Sequence, residues 1–507
     1  MKMAASRLRL PRLAALASAT ALAVTVGMAQ AQVDEEYWWT AGSGEVFPEV
    51  RDYPNAAGAL RVLVEGGPVD TVGHAFFEPI GPNGRACVTC HQPHDAMSLT
   101  PRTAQERWEA TGGTDPLFAA WDGSNCPTMP QGERASHSLL LDHGLFRIER
   151  PWPPRDLQGN PIETDFTIEV VRDPWGCNTG RAYGLDAEEP TVSVYRRPRP
   201  VANLKYILAV GFDYDPKSGL AMELDPETGE PMSGNLMSDR RAQSLSLQMR
   251  DAAASHLEML RDLTDAERAQ IADFESRVYA AQQTIGDDIA LDEVAEGGAE
   301  LLQRSEAGLL GIFASPVWSE FDAWAEMSEE EMAALPPETR AFRESVVRGL
   351  HLWRTRSFLV NDSAGINQPL GFGNPARNTC QFCHNMSRTG IDVAPGQIDL
   401  GTSNQPFADP MPHLPLFRIT CTGRLPHPHY GREILTSDPG YALTTGRCLD
   451  VGKITTQQMR AMAAREPLFH NGIAADIPGL VDFYDRRYNI QYTPQERQDM
   501  INLLTAL

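Results

Sequence analysis

Several things are scarce in this 507-residue chain, and each scarcity excludes something. After residue 32 no segment carries the unbroken run of about twenty apolar residues that a membrane-spanning helix needs, so no membrane span is expected. Basic residues are few: 44 Lys and Arg stand against 67 Asp and Glu, a formal charge of −23, which argues against nucleic acid or an anionic membrane as a partner. No low-complexity repeat occurs. Cysteine is sparse too, eight in all. Neither of the two Cys-x-x-Cys pairs has a further Cys/His pair at the short range zinc requires, nor the βαβ setting of a thioredoxin-like redox pair.

The first 32 residues read as a secretory signal. Lys2, Arg7, Arg9 and Arg12 form its basic region, Leu13 to Met28 its apolar stretch, and Ala29-Gln30-Ala31 suits a peptidase. Removing it leaves 40 basic against 67 acidic residues, −27, on about 475 residues, enough for two or three domains with real cores. The acidic balance suits a solvated surface or attraction of a basic redox partner. The expected location is the periplasm.

Both Cys-x-x-Cys pairs continue into histidine: Cys87-Val88-Thr89-Cys90-His91 in the first half and Cys380-Gln381-Phe382-Cys383-His384 in the second. At this spacing two thiols can form thioethers to the vinyl groups of one haem while the adjacent imidazole reaches the iron. Two covalently bound c-type haems are therefore expected, and export agrees with them, because c-type haem is attached outside the bacterial inner membrane. Cys126, Cys177, Cys421 and Cys448 remain in an oxidising space. Three pairings are open to them; pairing within each half, Cys126 with Cys177 and Cys421 with Cys448, is expected.

The halves repeat a plan. Gly73-His74-Ala75-Phe76-Phe77 and Gly349-Leu350-His351-Leu352-Trp353 precede the two motifs and read as ends of leading helices. Thr264-Asp265-Ala266-Glu267 and Thr493-Pro494-Gln495-Glu496 are capping boxes that open closing helices. The expected fold is mostly α: two tandem cytochrome c-like haem domains, at 71–300 and 341–507, with a partly β, Pro-rich insertion at about 95–200 in the first. An N-terminal extension without clear periodicity covers 33–70, and a linker covers 301–340. Within the insertion, the β-branched runs Phe166 to Val171 and Thr191 to Tyr195 suggest a hairpin or small sheet, and 213–235 reads as an exposed loop.

Three further stretches carry a resemblance. They are Pro467-Leu468-Phe469-His470-Asn471-Gly472 followed by Val481-Asp482-Phe483-Tyr484; Arg196-Arg197-Pro198-Arg199-Pro200-Val201-Ala202-Asn203; and Ser244 to Gln248 followed by His256 and Glu258. With the two haem motifs, they resemble the bacterial di-haem cytochrome c peroxidase family, which includes MauG-type enzymes that oxidise a partner protein. The resemblance covers most of the chain beyond about residue 70, apart from the insertions.

It implies that hydrogen peroxide binds at the first haem, opposite His91, where Gln248 and Glu258 keep the family's ten-residue spacing and His256 is a rival to Glu258. It implies that Tyr484 binds the second iron opposite His384. That position is methionine in typical peroxidases and tyrosine in MauG-type enzymes. The alternative is that Tyr484 or Tyr488 is a core aromatic and Met386, Met411, Met459 or Met462 is the ligand. Asn203 is a candidate ligand of one calcium ion, and His470 a pocket contact. His94, His137 and His143 are candidates to close the first iron. Where many members place a tryptophan between the haems, this chain has Phe212, with Tyr214 nearby; phenylalanine is much harder to oxidise than indole.

The chemistry wants such groups. Splitting the O–O bond needs a base to take a proton from one peroxide oxygen and an acid to deliver it to the other, with a neighbouring amide orienting the molecule. The expected function is reduction of hydrogen peroxide to water with electrons from a small donor protein, a cytochrome c or cupredoxin. A MauG-like oxidase of a protein or organic substrate and a non-catalytic electron-transfer cytochrome are the alternatives. A homodimer is compatible with all three.

Overall fold

The computed structural model describes residues 37–208, 213–215, 219–221, 232–294, 297–305, 319–367, 373–384 and 396–507. The signal segment, Phe212 and Met386 lie outside them, and Tyr214 is described in its backbone only.

Strands β1 (Val50–Asn55) and β2 (Gly58–Val64) form an antiparallel hairpin with Tyr53 opposite Leu60. The Pro-rich segment contributes β3 (Phe146–Pro151), β4 (Phe166–Arg172) and β5 (Thr191–Arg196). Helices α1 (Leu245–His256) and α2 (Asp265–Arg277) follow. The chain passes from Arg277 directly into β6 (Val278–Ile285) and then β7 (Ile289–Ala290), completing a sheet of order β7-β6-β2-β1. The second half holds α3 (Pro337–Thr355), strands β8 (Leu416–Cys421) and β9 (Glu433–Thr436), α4 (Ile477–Tyr488) and α5 (Pro494–Ala506).

The expectation of a mostly α fold does not hold. The protein is 33% helix and 19% strand in several sheets, a mixed α/β architecture. Two regions account for the difference. The extension, which showed no periodicity, carries strands at 46–47, 50–55, 58–64 and 69–70. Its partner β6 is buried on both faces over its first six residues, so it has no apolar–polar alternation to betray it. Alternation shows instead in where side chains go: Leu60, Val62, Val64, Val278 and Ala280 enter one apolar core, while Leu63, Tyr279 and Ala281 enter a second. The four-stranded sheet thus stands between the two cores, one around Cys87 and the other against Cys380.

The insertion departs from expectation in its pairing. β4 and β5 do not pair with each other: β5 pairs with β3, and β4 crosses to β8 in the C-terminal half, with Ile168 opposite Ile419. Phe166, Val192 and Val194 share a core with Phe417, Ile419 and Ile434, tying the insertion to the second half. Cys126 pairs with Cys177 and Cys421 with Cys448, as expected. Closing loops of these lengths contributes on the order of 3 kcal/mol each.

Both capping boxes form. Thr264 Oγ1 accepts from the Glu267 N–H (3.2 Å) while Glu267 Oε2 accepts from the Thr264 N–H (2.7 Å), and Thr493 with Glu496 repeats the arrangement. Residues 349–353 lie in α3 as expected. Residues 73–77, the expected counterpart, form turns, and Phe76 and Phe77 still pack on Phe274 of α2. α3 and α5 approach so closely at Gly349 that a Cβ there would lie 2.3 Å from the Asp499 carbonyl oxygen. Among the described residues no helix is long and apolar enough to cross a membrane.

Candidate functional site

Two large cavities open in the protein, each walled by one Cys-x-x-Cys-His motif. The first encloses about 1310 Å³ out to its mouth and is lined by Cys87, Cys90 and His91; the second encloses about 1450 Å³ and is lined by Cys380, Cys383 and His384. The four motif cysteines are unpaired, and burial pushes the thiols up, those of Cys90, Cys380 and Cys383 to about 12. No group of three or more His, Cys, Asp or Glu suited to a metal ion occurs among the described residues.

In the first cavity the backbone aims the imidazole. Ala96 and Met97 both take left-handed conformations (φ 55° and 60°), which turns the Met97 carbonyl onto His91, and His91 Nδ1 donates to it at 3.0 Å. A carbonyl only accepts, so the proton is on Nδ1 and the Nε2 lone pair is left for an iron. Burial holds His91 down near 4, against a smaller upward pull from the Met97 bond, so the ring is neutral.

The opposite groups come from α1. Gln248, Ala252 and His256 follow one another at four-residue steps, and all three line the cavity. His256 Nδ1 is 2.5 Å from Asp122 Oδ2, and His256 Nε2 has no hydrogen-bond partner among the described residues. Asp122 also pairs with the fully buried Arg85, whose remaining donors reach the carbonyls of Pro116 and Leu117 at 2.7 Å each. Burial raises the Asp122 carboxyl, but Arg85 and His256 outweigh it and hold it below the usual carboxylate range.

Glu258 is not in this cavity. The helix ends at His256, the chain turns left-handed at Glu258 (φ 53°), and the carboxylate accepts instead from Asn83 Nδ2 at 3.1 Å. The ten-residue spacing from Gln248 outruns the helix. Glu275 of α2 takes a wall position no motif indicated. It is 3% exposed, Oε2 has no partner, and burial alone lifts its carboxyl to about 8.

In the second cavity, α4 brings Tyr484 opposite His384, with Tyr484 Oη 3.4 Å from His384 Nε2 across 100 residues of sequence. Burial holds the Tyr484 hydroxyl well above its ordinary value. Tyr488, Tyr492, Met459, Met462 and His470 also line this cavity. Met411 does not; it packs on a separate cluster with Leu414. His470 Nε2 lies 3.1 Å from Ser403 Oγ and 3.6 Å from Asp438 Oδ2, and burial lowers it to about 4.

Other candidates are occupied elsewhere. His94 bonds Tyr37 O and Thr103 Oγ1, His137 bonds Gly123 O and Gln131 O, and His143 stacks on His413 at 3.8 Å. Asn203 is left-handed (φ 65°) and closes the free edge of β6: its Oδ1 accepts from the Ala280 N–H (3.1 Å), and its Nδ2 donates to the Ala280 carbonyl and to Gln458 Oε1, both at 2.9 Å. With its amide committed to these bonds and no metal-suited group of acidic residues among the described residues, Asn203 does not fit a calcium site.

The residues present do fit haem. Each cavity joins two unpaired thiols, an adjacent histidine and a largely apolar wall, and Arg197 and Pro198 line both. No protein-family profile, curated protein or solved structure matches the chain, so the resemblance rests on the motif residues alone.

Proposed function

We propose that the protein is a di-haem c-type oxidoreductase that reduces hydrogen peroxide in its first cavity. The observation that carries this reading is the asymmetry of two otherwise similar cavities: opposite the motif histidine, one presents the Asp122-oriented imidazole of His256 and the other the phenol of Tyr484. Cys87, Cys90 and His91 hold the first haem, and Cys380, Cys383, His384 and Tyr484 the second. When bound, these groups supply the redox-active irons for reduction of one peroxide by two electrons and two protons to two waters.

The chain's own residues manage the protons. His256 Nε2 is positioned to take a proton from one peroxide oxygen and return it to the other. Asp122 accepts from Nδ1–H, fixes the tautomer that leaves Nε2 as the base, and stabilises the imidazolium once it forms. Arg85 keeps Asp122 ionised. The Gln248 amide, two turns earlier on the same face, orients the peroxide.

Tyr484 favours a second reading, a MauG-like oxidase. A phenolate is a hard, anionic donor that favours ferric and higher states, whereas a thioether favours ferrous iron. Mixing purified holoprotein with hydrogen peroxide, with and without a ferrous cytochrome, separates the readings. Catalytic consumption of the ferrous donor supports peroxide reduction. A long-lived oxidised protein indifferent to the donor supports the oxidase, and two haems inert to peroxide overturn both.

A further inference from the structure

The wall between the cavities holds more positive charge than the protein neutralises. Of the arginines in the run at 196–199, Arg196 is paired with Asp239 (2.6 Å) and Asp438 (2.7 Å). Among the described residues, Arg197, Arg199 and Arg465 have no carboxylate partner. Arg197, 7% exposed, donates only to carbonyls: Leu99 O at 3.0 Å, Arg465 O at 3.1 Å and His143 O at 3.5 Å. Arg199 donates to Met237 O and Thr456 O, and Arg465, 8% exposed, to Ala461 O, Gln458 O and Arg460 O.

The carboxylates nearest in charge are committed elsewhere. Asp95 accepts from the Thr100 N–H (2.6 Å), and Asp239 is held by Arg196 and Arg241. Burial draws Arg197 down to about 9 and Arg199 to about 10, and the Arg465 charge adds to both. A guanidinium does not in practice give up its proton, so buried charge of this kind calls for an anion. Position says where the anion comes from: Arg199 lines the first cavity only, Arg465 the second only, and Arg197 both.

We propose that Arg197 is a shared counter-ion for haem carboxylates in both cavities, with Arg199 completing the seat on the first side and Arg465 on the second. This rests on the haem reading above. It makes the dividing wall an electrostatic link: one fixed positive charge opposes the ferric state of both irons, while each flanking arginine acts on one.

The test is a spectroelectrochemical titration of holoprotein variants, with haem content measured by mass. Arg197→Gln is expected to lower both midpoints, each by about a tenfold change in the reduced-to-oxidised ratio at fixed potential, which is about 59 mV for one electron. Arg199→Gln lowers the first alone and Arg465→Gln the second alone. Arg197→Lys, which keeps the charge and loses the fork, moves both by less. This variant decides the matter if the glutamine form does not accumulate. An Arg197 variant with two haems that shifts one midpoint, or neither, overturns the assignment. A wild-type protein without covalent haem overturns the reading beneath it instead.

Discussion

Both cavities are entered by the same five-residue motif, and everything that sets them apart comes from segments far away in sequence. The first receives α1, with Gln248 and His256 on one face, and the buried Asp122–Arg85 pair; the second receives α4, whose Tyr484 stands 3.4 Å from His384 Nε2. One motif histidine shares its cavity with an imidazole held by Asp122, the other with a phenol. On the proposed reading, the attachment motif would hold the haem and the opposite wall would decide what it can do.

The comparison breaks most completely if the motifs are not equivalent anchors. Replacing Cys87 and Cys90 by alanine is expected to remove one haem, and replacing Cys380 and Cys383 the other, each leaving a protein with a single haem by mass spectrometry. Tyr484→Met is next: the second midpoint should rise by a sizeable fraction of the roughly 0.8 V that axial ligands span, with the first unmoved. His256→Ala should slow the reaction with peroxide about 10²–10⁴-fold in stopped flow. Asp122→Asn should cost about 10–100-fold, as loss of an orienting partner does, and Glu258→Gln should have little effect.

A separate effect concerns stability. Glu275 has a folded-state value near 8 against an ordinary 4.5, because burial penalises its charge. The folded protein therefore keeps a proton that the unfolded chain releases. Its relative stability is complete below about 4.5 and falls as pH rises through 8. At 1.36 kcal/mol per pH unit the ceiling is roughly 5 kcal/mol. Glu275→Gln lacks this term, so its melting temperature should gain on wild type between pH 5 and 8.5.

The second cavity was the more legible of the two. Its motif, Tyr484, Met459, Met462 and His470 all lie in local patterns, and α3, α4 and α5 carry helical periodicity or capping boxes. The first cavity was legible in Cys87, Cys90, His91, Gln248 and His256, but Glu258, chosen by its spacing from Gln248, lies past the end of α1. Asp122, Arg85 and Glu275 gave no local signal, because their importance lies in what surrounds them after folding. The basic run at 196–199 was visible in an acidic chain, but its partners are supplied by tertiary structure. β6 was missed because both of its faces are buried over its first six residues and alternation requires one wet face, whereas β1 and β8 do alternate in burial and were missed all the same. The Pro-rich insertion looked like an accessory; it provides both Asp122 and the strand that joins the halves.

The sheet between the cores has a consequence for how the chain is made. β1 and β2 leave the ribosome early, yet the strand that covers β2 is β6, more than two hundred residues downstream, and Ala461 and Ala464 also enter the core around Cys87. The N-terminal segment must wait, unsealed, until late residues arrive, so folding is dominated by contacts of long sequence separation and is slow. During that wait the core that later packs around Cys87 stays incomplete, leaving its thiol within reach of modification.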